Sequence, residues 1–308
     1  MTVDTVKVLY IAGYGRSGST VLDNVLGQLD GFFAGGEIRS VWSHGLVGDT
    51  LCGCGRRFRE CPRWREILTA AYGGLDGVNA NEMVQLGDLA RSRDIPRLLA
   101  PGGEARVLAG LDEYREQLEK LYLAIRDTAG ANVVVDSSKA PLYGYILDTL
   151  PSVEVYWLHL VRDPRAVAYS WARRKSLPDW GRRQYMPVHS PVNSALSWDL
   201  CNVATEAIGR PTHGRYQLLR YEDFVAAPRA SVSRILAMLG ENPSDLPFPD
   251  ERTVHLEPGH GVSGNPSRFR TGAVELRQDD AWRRLLPPSA RDLVTALTAP
   301  LMLRYGYL

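Results

Sequence analysis

The stretch Val6-Lys7-Val8-Leu9-Tyr10-Ile11-Ala12 is apolar at six of seven positions and stops at a glycine. A short run with branched and aromatic side chains on both faces fits a strand buried on both sides, as in a parallel sheet. The loop Gly13-Tyr14-Gly15-Arg16-Ser17-Gly18-Ser19-Thr20 follows, and then Val21, Leu22, Val25, Leu26 and Leu29 recur at the spacing of one helix face. The first unit is therefore strand, glycine-rich loop, helix. Parallel strands require crossover connections, usually helical, so this unit commits the chain to an α/β fold.

Three further strands support that reading. Residues 132–136 end at Ser137-Ser138-Lys139, residues 153–161 end at Arg162-Asp163-Pro164, and residues 216–221 lead into Glu222-Asp223-Phe224. Helix is expected at 165–174, over much of 76–130 and at 279–305, with 31–75 irregular. The stripe Leu111, Tyr114, Leu118, Leu121, Tyr122 and Ile125 reads as core packing. Residues 242–268 are rich in Pro, Gly and Ser and read as an ordered loop region or lid. The expected architecture is one domain over 1–308: a three-layer α/β/α core with a mostly parallel sheet and a P-loop-like nucleotide site. A helical insertion is expected at about 62–130, and a late covering loop at about 255–272.

Bulk properties narrow the function classes. A net charge of +1 gives no global basic field for nucleic acid, so any anion site must be a local cluster. No apolar stretch is long enough for a membrane span, and the N-terminus lacks the basic region of a signal peptide, so a cytoplasmic location is expected. Four cysteines in 308 residues do not suggest a disulfide scaffold.

The spacing Gly13-x-x-x-x-Gly18 before Ser19-Thr20 nearly matches the phosphate loop of nucleotide triphosphatases. Backbone N–H groups there form a nest, and the following helix turns its positive end to an anion. The lysine of that motif is missing, with Ser19 in its place, and the cation is Arg16, whose planar fork suits phosphate or sulfate oxygens. Arg162 stands at the end of a strand, where open α/β sheets bind ligands, and Ser170 follows eight residues later.

These segments resemble sulfotransferases that use 3′-phosphoadenosine 5′-phosphosulfate (PAPS). Gly13 to Thr20 is similar to their 5′-phosphosulfate loop, in the form of the bacterial carbohydrate-type and tyrosylprotein branches. Arg162 with Ser170 resembles their 3′-phosphate motif. Tyr221-Glu222-Asp223-Phe224 resembles a segment whose Tyr lies near adenine. Gly264-Asn265-Pro266-Ser267-Arg268-Phe269-Arg270 resembles a late basic loop, which by analogy brings Asn265 and Arg268 to the 3′-phosphate. The resemblance implies donor contacts from Gly15, Arg16, Ser17, Gly18, Ser19, Thr20, Arg162, Ser170, Tyr221, Asn265 and Arg268.

For catalysis, cytosolic members place a His base where this chain has Lys139, and a lysine is a poor base unless desolvated. Gly35-Gly36-Glu37-Ile38-Arg39 resembles the stretch that carries the catalytic Glu of tyrosylprotein sulfotransferases, 21 residues past the loop Arg, and Glu37 lies 21 past Arg16. The resemblance therefore implies Glu37 as base, with Lys139 and Arg16 stabilising the sulfuryl group and leaving phosphate. It implies PAPS as donor, PAP as product and no required metal. The acceptor is expected to be a hydroxyl of a small molecule or glycan, and a second copy of the chain is a candidate partner. A P-loop kinase, with Asp136 arguable for magnesium, is the main rival, and a non-catalytic nucleotide-binding module is the third reading.

Several features stay open in the sequence. Cys52, Cys54 and Cys61 match no standard zinc spacing. They read as structural, with a zinc site completed by His44 or a disulfide as alternatives. His159 reads as core, and His255 or His260 as an alternative base without local support. Trp42, Trp64, Trp171, Trp180 and Tyr185 suit either core or an acceptor platform. Arg173, Arg174, Lys175, Arg182 and Arg183 suit a solvated face or an anionic acceptor.

Overall fold

The computed structural model describes residues 5–90, 92–177, 184–212, 214–242 and 245–308. Trp180, Arg182 and Arg183 lie outside them. Five parallel strands form the central sheet: β1 Val6–Ala12, β2 Phe32–Ala34, β3 Val133–Lys139, β4 Val153–Val161 and β5 Tyr216–Arg220, in the spatial order β2-β3-β1-β4-β5. The chain moves from β1 outward to β2, returns to β3 and crosses to β4 on the other side. The reversal falls at β1, and the crevice outside the carboxyl ends of β3, β1 and β4 is where such sheets bind ligands.

β1 is buried on both faces, as its composition requires. Val8 and Tyr10 face one core with Trp157, Leu118 and Leu121. Leu9 and Ile11 face a second core with Leu22, Leu26, Phe224 and Ile235. The first core is covered by helices Pro62–Tyr72, Asp112–Ala129 and Pro141–Asp148, and the second by Ser19–Leu26 and Pro228–Leu239. Three layers result.

The irregular reading of 31–75 needs correction. It holds β2, a π-helix at Val41–Val47 and the helix Pro62–Tyr72. β2 is too short for periodicity to reveal. The helix Pro191–Gly209 also lacks a periodic signal, because apolar residues lie around most of its circumference, including exposed Leu196, Leu200 and Val203. Tyr221 opens the helix Tyr221–Ala226 instead of closing β5. The late region holds a hairpin, Thr253–Leu256 paired antiparallel with Gly272–Glu275, and a strap that runs beside Gly36 through Val262. Among the described residues no helix is long and apolar enough to cross a membrane.

Two carboxylates are buried beneath the crevice. Asp136 accepts from Tyr122 and from the Ser138 N–H at 2.8 Å, and burial pushes it up to about 6. Asp23, on the first helix, is pushed up to about 7 by burial, and its Oδ1 has no hydrogen-bond partner among the described residues. A carboxyl raised by folding contributes stability below its unfolded value, near 3.8, that is lost as pH rises through about 7. We therefore expect the melting temperature of Asp23→Asn minus that of wild type to grow between about pH 4 and pH 8. The difference should reach several degrees, and a pH-independent difference in matched thermal scans would refute the assignment.

Candidate active site

The loop after β1 is shaped by three close approaches. A Cβ on Gly13 would meet the Leu160 carbonyl oxygen at 2.4 Å, and one on Gly18 would meet the Tyr221 ring at 2.4 Å. One on Gly15 would meet Trp171 at 2.8 Å. Gly13 and Gly18 also have φ of +131° and +93°, open to glycine at little cost. The turn is closed by the Ser17 hydroxyl, which donates to the Tyr14 carbonyl at 2.7 Å. That hydroxyl is committed to the loop, so Ser17 does not line the cleft as a donor ligand through its side chain. Ser19 and Thr20 open the first helix and do line it.

Arg16 has the left-handed φ of +72°. Its guanidinium lies 4.5 Å from the Trp171 ring centroid, and Trp171 is fixed by an Nε1–H bond to the Gly15 carbonyl at 3.2 Å and by stacking on His189. Among the described residues, none of the three buried guanidinium nitrogens finds a hydrogen-bond partner. Burial lowers the Arg16 pKa, and the nearby Glu37 charge opposes that. A buried cation without acceptors is costly, and an anion bound here would supply them.

The cleft has a volume of about 410 Å³. It brings together Gly15, Arg16, Gly18, Ser19, Thr20, Glu37, Lys139, Arg162, Ser170, Tyr221 and Asn265 from the residues expected to act. Arg162 donates to the Arg16 carbonyl at 3.1 Å, stacks on Tyr221 at 4.7 Å and reaches Asp279 at 3.4 Å. Among the described residues six basic side chains (Arg16, Lys139, Arg162, Lys175, Arg270, Arg277) line the cleft with two acids (Glu37, Asp279), and Arg277 is paired outside the lining with Glu275. Lys175 is pushed down to about 8 by burial and then by Arg16 and Arg173.

A bulge aims Lys139. Tyr10 pairs with Asp136 but Ala12 pairs with Lys139, so β3 carries one extra residue there. Asp136 also accepts from the Ile38 N–H at 3.4 Å, Ser138 Oγ accepts from the Arg39 N–H at 3.0 Å, and the Gly36 carbonyl accepts from the Ser137 N–H at 2.7 Å. These bonds stitch the bulge to the turn that carries Glu37. Lys139, with φ +69°, then donates from Nζ to Glu37 Oε1 at 2.6 Å and to the Ser137 carbonyl at 2.7 Å.

Some expected residues fall elsewhere. Arg268 is buried, donates to the Gly264 and Leu51 carbonyls at 3.3 and 3.0 Å and stacks on Phe269, so it pins the late loop and does not face the cleft. Arg270, two residues on, lines the cleft instead. The Asn265 side chain caps the turn Pro266–Phe269 by accepting from the Ser267 N–H, and its own N–H reaches Thr20 Oγ1 at 3.4 Å. Asp136 is consumed by the bulge and does not line the cleft. His159 is buried between Tyr216 and Asn202, as a core residue should be. His255 is exposed on the late hairpin and His44 bonds Ser263 at 2.8 Å. Trp42 and Trp64 are core, and Tyr185 lies under Arg174.

A second, apolar groove of about 710 Å³ adjoins the cleft. Ile95, Pro96 and Leu99 form one wall and Leu200, Val203 and Ala204 of the helix Pro191–Gly209 the other. Its floor is Gly13, Tyr14, Gly15 and Lys139. Lys139 thus lines both cavities.

Over 205 residues the chain is 30% identical to nodulation protein NoeE of Sinorhizobium fredii, covering 60% of this chain and 46% of that protein. It is 29% identical over 162 residues to carbohydrate sulfotransferase 5 of Homo sapiens, covering 47% of this chain and 38% of that protein. The chain spans less than half the length of these two relatives. In fold it is similar to the sulfotransferase domain of the Synechococcus PCC 7002 olefin synthase, with a TM-score of 0.52 over 97% of this chain and 95% of that one, at 23% identity. The family model described as "Sulfotransferase family" matches residues 9–245, well over half of the sequence, and the chain belongs to the sulfotransferase family.

Proposed function

We propose that the donor is PAPS and that the chain moves its sulfuryl group to a hydroxyl of a small molecule or glycan, releasing PAP. The observation that carries this reading is the buried guanidinium of Arg16, without a hydrogen-bond partner among the described residues, in the same cleft as Arg162 and Ser170. An ordinary mononucleotide needs one anion site, whereas PAPS carries anionic groups at both the 5′ and 3′ positions. Two such groups bring roughly three to four negative charges, which suits a cleft lined by more basic than acidic side chains.

In this reading Arg16, Gly18, Ser19 and Thr20 hold the 5′ end, Arg162 and Ser170 the 3′-phosphate, and Tyr221 the adenine. Asn265 supports the late loop, and Arg270 takes the part expected of Arg268. Glu37 receives the acceptor's hydroxyl proton as the acceptor oxygen bonds to sulfur. The bridging S–O bond breaks, and its electron pair stays on the 5′-phosphate, where Arg16 and Lys139 offset the charge. The apolar groove that reaches Lys139 favours an acceptor with an apolar body over a wholly polar sugar. Against the kinase reading, the carboxylates that line the cleft among the described residues are Glu37, held by Lys139, and Asp279, held by Arg162.

Calorimetry without magnesium tests the donor. PAP should bind at least about 10- to 100-fold more tightly than adenosine 5′-phosphate, the worth of one charge-assisted contact set. Equal affinities would end the PAPS reading. For the chemistry, Glu37→Gln should lower transfer by about 100-fold or more with PAP affinity within about twofold of wild type. Lys139→Ala should lower it by about 100-fold. Wild-type transfer by Glu37→Gln would remove Glu37 as base.

A further inference from the structure

We propose that Cys52, Cys54, Cys61 and His260 form a closed, structural site for a thiophilic divalent metal, zinc by preference. The cysteine spacing matches no standard zinc motif, and the sequence leaves a zinc site only as an alternative, with His44 as its fourth ligand. The residue that completes the cluster lies 199 positions beyond Cys61, out of reach of any local spacing rule.

The three sulfurs and the imidazole Nδ1 all lie within 4.8 Å of one another. Cys54 Sγ and Cys61 Sγ are 3.8 Å apart, and His260 Nδ1 is 3.3 Å from Cys61 Sγ and 3.9 Å from Cys52 Sγ. A tetrahedral zinc with bonds of about 2.3 Å to sulfur and about 2.0–2.1 Å to nitrogen requires S···S edges of about 3.8 Å and S···N edges of about 3.6 Å. The Cys54–Cys61 edge matches the first value, and the two edges from His260 Nδ1 lie on either side of the second. A disulfide would need sulfurs about 2.05 Å apart, so Cys54 and Cys61 are spaced for a shared ion. Soft thiolates with one imidazole select zinc over magnesium or calcium, and four protein ligands leave no open position for catalysis. Binding would release the three thiol protons to solvent and leave a site of net charge −1 with neutral His260.

The backbone is arranged for this. Cys52-Gly53-Cys54-Gly55 form a tight turn, closed by the Gly55 N–H on the Cys52 carbonyl at 2.8 Å. Cys61 stands at the N-cap position of the helix Pro62–Tyr72, with its thiol making no capping bond to the helix. The Gly53 N–H bonds the Gly261 carbonyl at 3.0 Å, and a Cβ at Gly53 would meet the Gly259 carbonyl oxygen at 2.9 Å. Trp64 Nε1–H holds the His260 carbonyl at 2.7 Å. The ion would clip the 52–61 turn to the strap at 259–262. That strap bonds the Glu37 N–H through the Val262 carbonyl at 2.8 Å and continues into Gly264 and Asn265 at the cleft. The metal would thus act on stability and on the placement of the cleft wall, and this inference does not depend on the identity of the donor.

The test uses the full chain purified without chelator from zinc-supplemented medium. Elemental analysis should find about one zinc per chain, and titrating the thiols with a mercurial reagent should release it to a chromogenic zinc indicator. The cobalt-substituted protein should show thiolate-to-cobalt charge transfer and the intense visible bands of a tetrahedral site. Cys61→Ser and His260→Ala should lose the metal, His260→Cys should keep it, and Cys201→Ser should be unchanged. Chelation should lower the melting temperature of the wild-type chain by more than about 5 °C. Folded wild-type protein with under a tenth of an equivalent of metal and no cobalt spectrum would overturn the proposal. So would a Cys54–Cys61 disulfide found by mass spectrometry in protein handled without oxidant. Metal content and the cobalt spectrum are read on the wild-type chain, so they decide the question even where a variant fails to fold.

Discussion

Arg16 holds its guanidinium against the face of Trp171 with no acceptor among the described residues for any of its nitrogens, and the crevice is organised around that charge. Leaving a buried cation without acceptors opposes folding, so the surrounding structure must over-determine it. The means are visible. Gly13 and Gly18 permit the loop's path, Ser17 closes it, and Trp171 and His189 stack beneath the guanidinium. Arg162 bonds the Arg16 carbonyl, which ties the second cation to the backbone of the first. A ligand anion would complete what the protein leaves open.

The Glu37–Lys139 pair depends on a different buried carboxylate. Asp136 is arguable as a magnesium ligand from sequence alone, yet its carboxylate bridges the β3 bulge and the turn after β2. That bridge turns Lys139 into the cleft and holds Glu37 within one hydrogen bond of it. The strap through Val262 fixes the same turn from the other side. Glu37 is therefore positioned by elements drawn from β2, β3 and the late chain.

How much of this is legible in the sequence follows from the range of each interaction. Strands β1 and β4 are mostly apolar runs between turn residues, so their ends can be read directly. The loop from Gly13 to Thr20 declares itself because its requirements (glycine, hydroxyl, cation) are local. The 21-residue offset of Glu37 and the eight-residue offset of Ser170 also bring both residues into the cleft. What escapes is set by tertiary contact. β2 has three residues and exists because β3 lies beside it. The helix Pro191–Gly209 lacks a single apolar face, because it packs on the core on one side and walls the groove on the other. Arg268 and Arg270 are equivalent in a string of residues. The one-turn helix capped by Asn265 sends the first inward and the second to the cleft.

Arg16 is a buried cation without a hydrogen-bond acceptor among the described residues, and in the function proposed above a bound anion supplies one. Arg16→Met keeps the apolar stem against Trp171 and removes only the charge and its donors. The decisive measurement is the melting temperature of this variant and of wild type, each with and without saturating PAP. The unliganded variant is predicted to melt at or above the wild-type temperature, while the shift produced by PAP is largely lost. An unliganded variant that melts several degrees lower, with the PAP shift preserved, would contradict that role for Arg16.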